Sequence, residues 1–532
     1  MRGLKSPALE TPHDAFTHFF PRFAHGFPRN HATRSTFDFL CPFVLSEVKV
    51  LGFVHDRSEC KFERRDGLLS ADRWKLLEKL VERITRLQVV EEVVDRDTGS
   101  DENQLTAHHF RIAVHDFRYW HEPILLRRFF TTASCTLRLV DILIVCPDSY
   151  DRWAFERVAG HRFHFLDAGI SHWEASPEFD PIAYLDRCRV VMAEHRVGAV
   201  VSTHDLGDLI AAVLAQEAGL PGPSPEAAFL CLHKLYGRRA EVDPIRCQPL
   251  LLDEPLPAIA YPAYLKPPWL KLGLLGFKVT SDNEARAAME LARAELPAWT
   301  RQYYRLFERA IDLAKYPLAT TDMMLVEEFI DGQQVTVEGW SLGGEIHIWA
   351  MTDTNTFPGT RVIDNFSTPS RVDAETAATL RAKTTEAIRA FGFDGGFFNI
   401  EFWLTENGVR LTEVNGRSAA CFGGIYDLGL GADIFAAVAD VATGNQPRHL
   451  PRTTGQVAGQ FNVITFEDDL AGNLLDYGAA AAIPEFSAFR KPDERVRPVS
   501  EFGVVLGQIE IAGDSYDEIH ARAEEMRRRL MK

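Results

Sequence analysis

No two of the eight cysteines, at positions 41, 60, 135, 146, 188, 231, 247 and 421, stand in a CxxC pair. That excludes a zinc ribbon and a disulfide framework, and it suits a reducing compartment. Long apolar runs are missing too: Ile142 to Cys146 and Ala479 to Ile483 are far too short to span a bilayer. The N-terminus, with Lys5, Glu10, His13 and Asp14, has no continuous apolar segment of the secretory kind. A cytoplasmic protein that engages no membrane is expected. Positive charge is in deficit, 58 Lys and Arg against 75 Asp and Glu, for a formal net charge of -17. A broad nucleic-acid-binding surface is therefore disfavoured, although local basic pockets are not. Internal repeats and low-complexity tracts are absent.

What is present is an ordinary globular composition, 46% hydrophobic and 25% charged, over 532 residues. That length predicts three or four units. Residues 1 to 136 hold half of the chain's 18 histidines and little pattern. The one periodic segment there runs from Trp74 through Leu77, Leu80, Val81, Ile84 and Leu87 and predicts an amphipathic helix. The stretch Thr11 to Asn30 has no period. Residues 1 to 136 read either as an accessory domain of unknown role or as the product of a start codon placed too early.

From Leu139 onward, short strands at Val140 to Val145, Arg162 to Leu166 and Gly198 to Ser202 alternate with helices at 151–159, 181–195 and 206–218. Such alternation predicts a small parallel α/β domain over 137–225. Ser224 and Pro225 then read as N-cap and first residue of a helix that carries Lys234. Residues 226–447 predict two mixed α+β lobes: a β-rich stretch at 258–279, a helix at 284–315, strands at 323–330, 334–340 and 346–352, and a helix at 374–391. After Gly444-Asn445-Gln446-Pro447, residues 448–532 predict a C-terminal α+β unit with a strand at 504–511 and a helix at 516–530.

The most informative segment is Phe397-Phe-Asn-Ile-Glu401-Phe-Trp-Leu-Thr-Glu-Asn-Gly408 followed by Val409-Arg-Leu-Thr-Glu413-Val-Asn415-Gly-Arg417. Asn-Gly between two apolar runs predicts a β-hairpin. Strand alternation puts Asn399, Glu401 and Trp403 on one side, and Leu411, Glu413, Asn415 and Arg417 on one side of the return strand. With a three-residue loop, Glu401 faces Glu413. Two facing carboxylates repel unless positive charge lies between them, and hard oxygen ligands of this kind suit Mg²⁺. Glu-x-Asn-x-Arg taken alone is also what a solvent-facing hairpin carries. The opposed Glu401 and the preceding helix weigh against that.

This segment resembles the metal-binding strand pair of the ATP-grasp superfamily, which includes carboxylate-amine ligases. Leu325-Val-Glu-Glu-Phe-Ile-Asp-Gly332 resembles the family's hinge strand. Lys234, and Lys266 in Tyr264-Leu-Lys-Pro267, match its two phosphate-holding lysines in order and spacing. The resemblance covers residues 137 to 532 and implies the following. ATP and Mg²⁺, with Mn²⁺ as substitute, are bound; Glu401, Glu413 and Asn415 hold the metal, with Glu413 bridging two ions. Lys234, Lys266, the backbone of Glu327, Glu328, Phe329 and Ile330, and Gln334 hold the nucleotide. Arg417 is catalytic, contacting the transferred phosphate. A carboxylate is activated as an acyl phosphate and joined to an amine or thiol, releasing ADP and phosphate; a homodimer is compatible with this. Gly423-Gly424 resembles the acceptor-side loop.

Two positions depart from the family. Gln334 stands where many relatives have a Glu that binds the ribose hydroxyls; it keeps hydrogen bonding and loses the charge. The loop after Lys266, Pro267-Pro-Trp-Leu-Lys271-Leu-Gly-Leu-Leu-Gly276, is bulky where the family's is Gly- and Ser-rich. Bicarbonate activation of the biotin-carboxylase kind is the alternative chemistry, although no Met-Lys-Met segment is present for biotin. A non-catalytic ATP-binding module is a third reading. His204 and Asp205 read as a helix-capping pair, and Cys421 as a small packing residue.

Overall fold

The computed structural model describes residues 53–56, 59–62 and 139–532, save 171–175, 177, 271–272 and 499–502. The helix expected over Trp74 to Leu87 lies outside the described residues, as do Thr11 to Asn30 and Lys271. The chain divides into two compact units, residues 27–135 and the rest. In the smaller unit β1 (Phe53–Asp56) and β2 (Glu59–Phe62) pair antiparallel.

In the larger unit β3 (Val140–Val145) lies between β4 (His161–Leu166) and β5 (Ala199–Val201) in a parallel sheet. Ile142, Leu143, Ile144 and Val145 are each 0% exposed, as a parallel strand covered on both faces requires. The intervening helices are α1 (Ser149–Phe155), α2 (Pro181–His195) and α3 (Asp205–Ala218). Asp148 and Asp151 close a capping box on α1, and Gly219 at φ 65° ends α3 in the left-handed conformation.

Ser224 caps the next helix as expected, accepting from the Ala227 amide at 3.1 Å. That helix stops short of Lys234. It divides into α4 (Pro225–Leu232) and α5 (Lys234–Ala240), with His233 extended between them. The cause is a competing hydrogen bond: the Lys234 amide donates to the Pro268 carbonyl at 2.7 Å. Lys234 thereby becomes the first residue of a new helix pressed against the segment after Lys266.

A four-stranded sheet follows, in the order β6 (Cys247–Leu251), β9 (Met323–Glu328), β7 (Ala263–Lys266), β8 (Phe277–Val279). The long helix α6 (Asp282–Ala310) packs beside it. It ends before Lys315 because Ile311 is extended and the Asp312 carboxylate takes the Ala314 amide at 2.9 Å.

The remaining strands are β10 (Gln333–Leu342), β11 (Glu345–Thr356), β12 (Ile363–Thr368), β13 (Gly396–Thr405), β14 (Gly408–Asn415), β15 (Val457–Thr465), β16 (Asp469–Leu470), β17 (Phe486–Ala488), β18 (Arg495–Val496) and β19 (Val504–Gly513). Eight of them form one sheet in the order β14-β13-β10-β11-β12-β15-β19-β17. Three strands from the segment 448–532, β15, β19 and β17, thus continue the sheet that carries the Asn-Gly hairpin. Helix α7 (Ala374–Phe391) covers one side, and α8 (Gly423–Leu430) and α9 (Ile434–Ala442) pack in a second core with Trp340, Phe397 and Ala458. Helix α10 (Tyr516–Leu530) closes the C-terminal end. Among the described residues no single helix is long and apolar enough to cross a membrane.

Candidate active site

The β13–β14 hairpin places Glu401 opposite Glu413 and Asn399 opposite Asn415. The route to that pairing differs from the expected one. Thr405 pairs with Gly408, so the loop has two residues, and the additional residue is Thr412, bulged where the register shifts between Glu401 and Phe402. The bulge also reverses the facing of Leu411. It pairs with Phe402 and is buried in the core, so it leaves the face that Glu413 and Asn415 share.

On the neighbouring strand β10, Thr336 pairs with Glu401 and Glu338 with Asn399. Gln334, Thr336 and Glu338 therefore line the same face, two residues apart. Gln334 Nε2 donates to Glu401 Oε2 at 2.6 Å. Asn399 Nδ2 donates to Glu338 Oε2 at 2.8 Å, and the Ala419 amide to Glu338 Oε1 at 2.9 Å. Asn415 Nδ2 faces Asn399 Oδ1 at 3.4 Å.

Cations converge on this face from three elements. Lys234 Nζ, at the start of α5, is 2.9 Å from Glu413 Oε1 and donates to the Leu270 carbonyl at 3.0 Å. Lys266, at the end of β7, is 2.7 Å from Glu327 Oε2. Arg417, just past β14, donates through Nε to Asp205 Oδ1 at 2.6 Å and through Nη1 to the Ser418 carbonyl at 3.3 Å.

Removal from water and the charge of Glu413 push the Glu401 carboxyl up to about 7, against the pull of Arg417, Lys234 and Lys266. Burial alone takes Glu338 up to about 8, opposed by its bonds from Asn399 and Ala419 and by Arg417. For Arg417 burial favours the neutral form, yet Asp205 outweighs it and holds the guanidinium charged. The arrangement is one of opposed oxygen ligands held apart by Lys234 and by the Gln334 amide. Glu401, Glu413 and Asn415 supply hard oxygen donors, so the residues fit Mg²⁺.

The expected hinge segment divides by role. Burial works against the Glu327 carboxylate, yet Arg238 at 3.0 Å and Lys266 outweigh it and keep it below the usual range. Its side chain thus anchors Lys266. Glu328 lies farther out, bonded to the Arg246 amide at 3.1 Å and 3.3 Å from Arg410. The Phe329 ring is flanked by Lys278 at 4.2 Å and Arg361 at 4.6 Å, and its amide reaches the Pro262 carbonyl at 3.4 Å. Ile330 follows the end of β9.

Several positions read differently from sequence. His204 stands at the N-cap of α3 without a side-chain hydrogen bond to the helix, and Asp205 grips Arg417, so the two are not a capping pair. His204 instead lies 3.4 Å from Asp151, which also accepts from Thr203 at 2.6 Å. Gly423 and Gly424 open helix α8 and do not form a loop. Sequence reasoning passed over Arg238 and Glu338. Both were within reach: Arg238 follows Lys234 by one helical turn, and Glu338 follows Gln334 by two strand repeats.

Residues 259–425 match the family model described as ATP-grasp domain. The fold is similar to that of an L-amino acid ligase from Bacillus licheniformis (TM-score 0.61, 18% identity, covering 74% of this chain and 99% of that one). It is also similar to carboxyaminoimidazole ribonucleotide synthase from Aspergillus clavatus complexed with ATP (TM-score 0.52, 16% identity, 73% and 98%). Biotin carboxylase from Campylobacter jejuni is comparable (TM-score 0.50, 15% identity, 74% and 92%). No curated protein matches the chain by sequence. The matched residues, which include the paired-carboxylate hairpin and Lys266, form an ATP-grasp domain.

Proposed function

We propose that this chain is an ATP- and Mg²⁺-dependent ligase that converts a carboxylate to an acyl phosphate and joins it to an amine or thiol, releasing ADP and phosphate. The observation that carries the reading is the opposed pair Glu401 and Glu413, with Lys234 against one of them and Arg417 just past the strand. The L-amino acid ligase likeness agrees with it.

Glu401, Glu413 and Asn415 would hold Mg²⁺, which neutralises phosphate charge during transfer. Lys234 and Lys266 would bind the phosphates of ATP, and the backbone from Glu327 to Ile330, at and just past the end of β9, would meet the adenine edge. Glu327 and Arg238 keep Lys266 and the hairpin in place. Gln334, engaged with Glu401, orients that ligand and leaves the ribose without a carboxylate partner. Arg417, fixed by Asp205, offers its remaining N–H groups to the phosphoryl oxygens as the substrate carboxylate attacks. Positioning and electrostatics carry such a transfer.

The test is isotopic. Oxygen-18 in the substrate carboxylate appears in released phosphate if the acyl phosphate forms. Turnover to ADP without label transfer would sink the reading, and ADP release stimulated by bicarbonate alone would move it to the carboxylase type.

A further inference from the structure

We infer that Glu510 and Gln460 form a binding site for the primary ammonium group of a substrate, beside the Arg417 end of the active site. The inference rests on the ligase reading and narrows its nucleophile or acyl donor to an amine-bearing molecule.

Gln460 on β15 and Glu510 on β19 are Cα partners in the sheet. Gln460 Nε2 donates to Glu510 Oε1 at 2.8 Å and to the Cys421 carbonyl at 3.0 Å. Both partners are acceptors, so the amide orientation is fixed: Nε2 faces them and Oε1 is left over. Gln460 is 2% exposed, and its Oε1 has no hydrogen-bond partner. Glu510 has no ion pair with any of the described residues; burial raises its carboxyl pKa, and the only opposing influence is Gln460.

A half-buried carboxylate with no cation among the described residues, next to a buried amide oxygen without a donor, leaves two acceptors wanting N–H groups and one negative charge wanting a positive one. A primary ammonium supplies both. A neutral alcohol or thiol leaves the charge unmatched.

The location fits substrate. Cys421 lies four residues past Arg417, and its thiol feels the charges of Arg417, Glu338 and Glu510 together. Gly424 makes room: a Cβ there would fall 2.4 Å from Glu510 Oε2. A side chain at 424 would displace the carboxylate from the N-terminal turn of α8.

The full chain with Mg-ATP is assayed for ADP release with an equimolar mixture of the protein amino acids and ethanolamine, and with the same amino acids N-acetylated on every amine. Hydroxylamine is added in parallel to capture acyl phosphate as hydroxamate. Expected is turnover with the free amines and none with the acetylated set alone. If the ammonium belongs to the acceptor, the acetylated set with hydroxylamine still yields hydroxamates; if it belongs to the donor, only the free amino acids do. Glu510→Gln raises the KM for the amine about tenfold to a hundredfold, the effect of losing one charge-assisted bond, with Mg-ATP thermal stabilisation retained. Gln460→Met gives a smaller rise in the same direction and serves if Glu510→Gln misfolds. An unchanged amine KM in both variants overturns the assignment. So does turnover of the acetylated set with 2-mercaptoethanol at the rate of the free amines, or a wild type that binds Mg-ATP and turns over no amine. Absence of Mg-ATP stabilisation in the wild type would instead remove the ligase reading itself.

Discussion

Arg417 Nε donates to Asp205 Oδ1 at 2.6 Å, tying the end of the carboxylate hairpin to the first turn of α3 in the parallel domain. Arg417 is 18% and Asp205 12% exposed in their side chains, so the pair is largely out of water. Breaking it leaves a charge without its partner. Asp205→Ala is expected to cost about 3 kcal/mol of stability, the usual penalty for orphaning a buried charge, read as a lowered urea midpoint. Asp205→Asn keeps a hydrogen bond and should lose less.

Arg417 itself gives a kinetic prediction. Its planar guanidinium can hold Asp205 through Nε and still present N–H groups to a phosphoryl oxygen. Arg417→Ala should lower kcat by about 10²-fold or more, as loss of one transition-state donor does, with ATP affinity changed less. Arg417→Lys keeps charge without the fork and should restore part of the rate. Equal losses in ATP affinity and kcat would contradict a transition-state role.

The carboxyls of Glu401, near 7, and Glu338, near 8, make the protein pH-sensitive. Both sit above their unfolded values, so the folded state holds these protons more tightly than the unfolded one. Their contribution is fully present below about pH 4.5 and is lost as pH rises through 7 to 8. The metal-free protein should therefore lose stability between about pH 4.5 and 8, and Glu338→Gln should flatten that slope in urea melts. Divalent-ion affinity runs the other way. It should rise over the same interval, with proton release on binding that calorimetry in two buffers would count.

Gln334 donates to Glu401 at 2.6 Å. Gln334→Glu removes the donor and sets a second carboxylate against Glu401. Loss of about 1–3 kcal/mol is expected in the metal-free protein, with part recovered on adding Mg-ATP. If the variant is as stable as the wild type at pH 8 without metal, the Gln334–Glu401 bond does not hold the ligand pair.

Glu413→Gln should retain the fold and abolish metal-dependent ADP release, because it removes one of the two opposed charges that draw the ion. Thermal shift with and without Mg²⁺ separates lost metal binding from lost folding.

Periodicity and order along the chain were enough for the parallel strands, the Asn-Gly hairpin and the facing of Glu401 and Glu413. These depend on local alternation and capping, which the residues themselves carry: Ser224 caps its helix and β13 alternates as read. The bulge at Thr412 was not legible, because a register shift depends on which neighbour the strand meets. The break at His233 required the Pro268 carbonyl to outcompete a helical bond for the Lys234 amide. The Arg417–Asp205 tie spans 212 residues of sequence, and the Gln460–Glu510 pair 50, separations that local pattern does not encode. Sequence by itself determined which chemical groups the site contains and the faces they occupy on their strands. Only the tertiary structure decided which charges meet and which stay unmatched, because electrostatic partners out of water are chosen by distance through space.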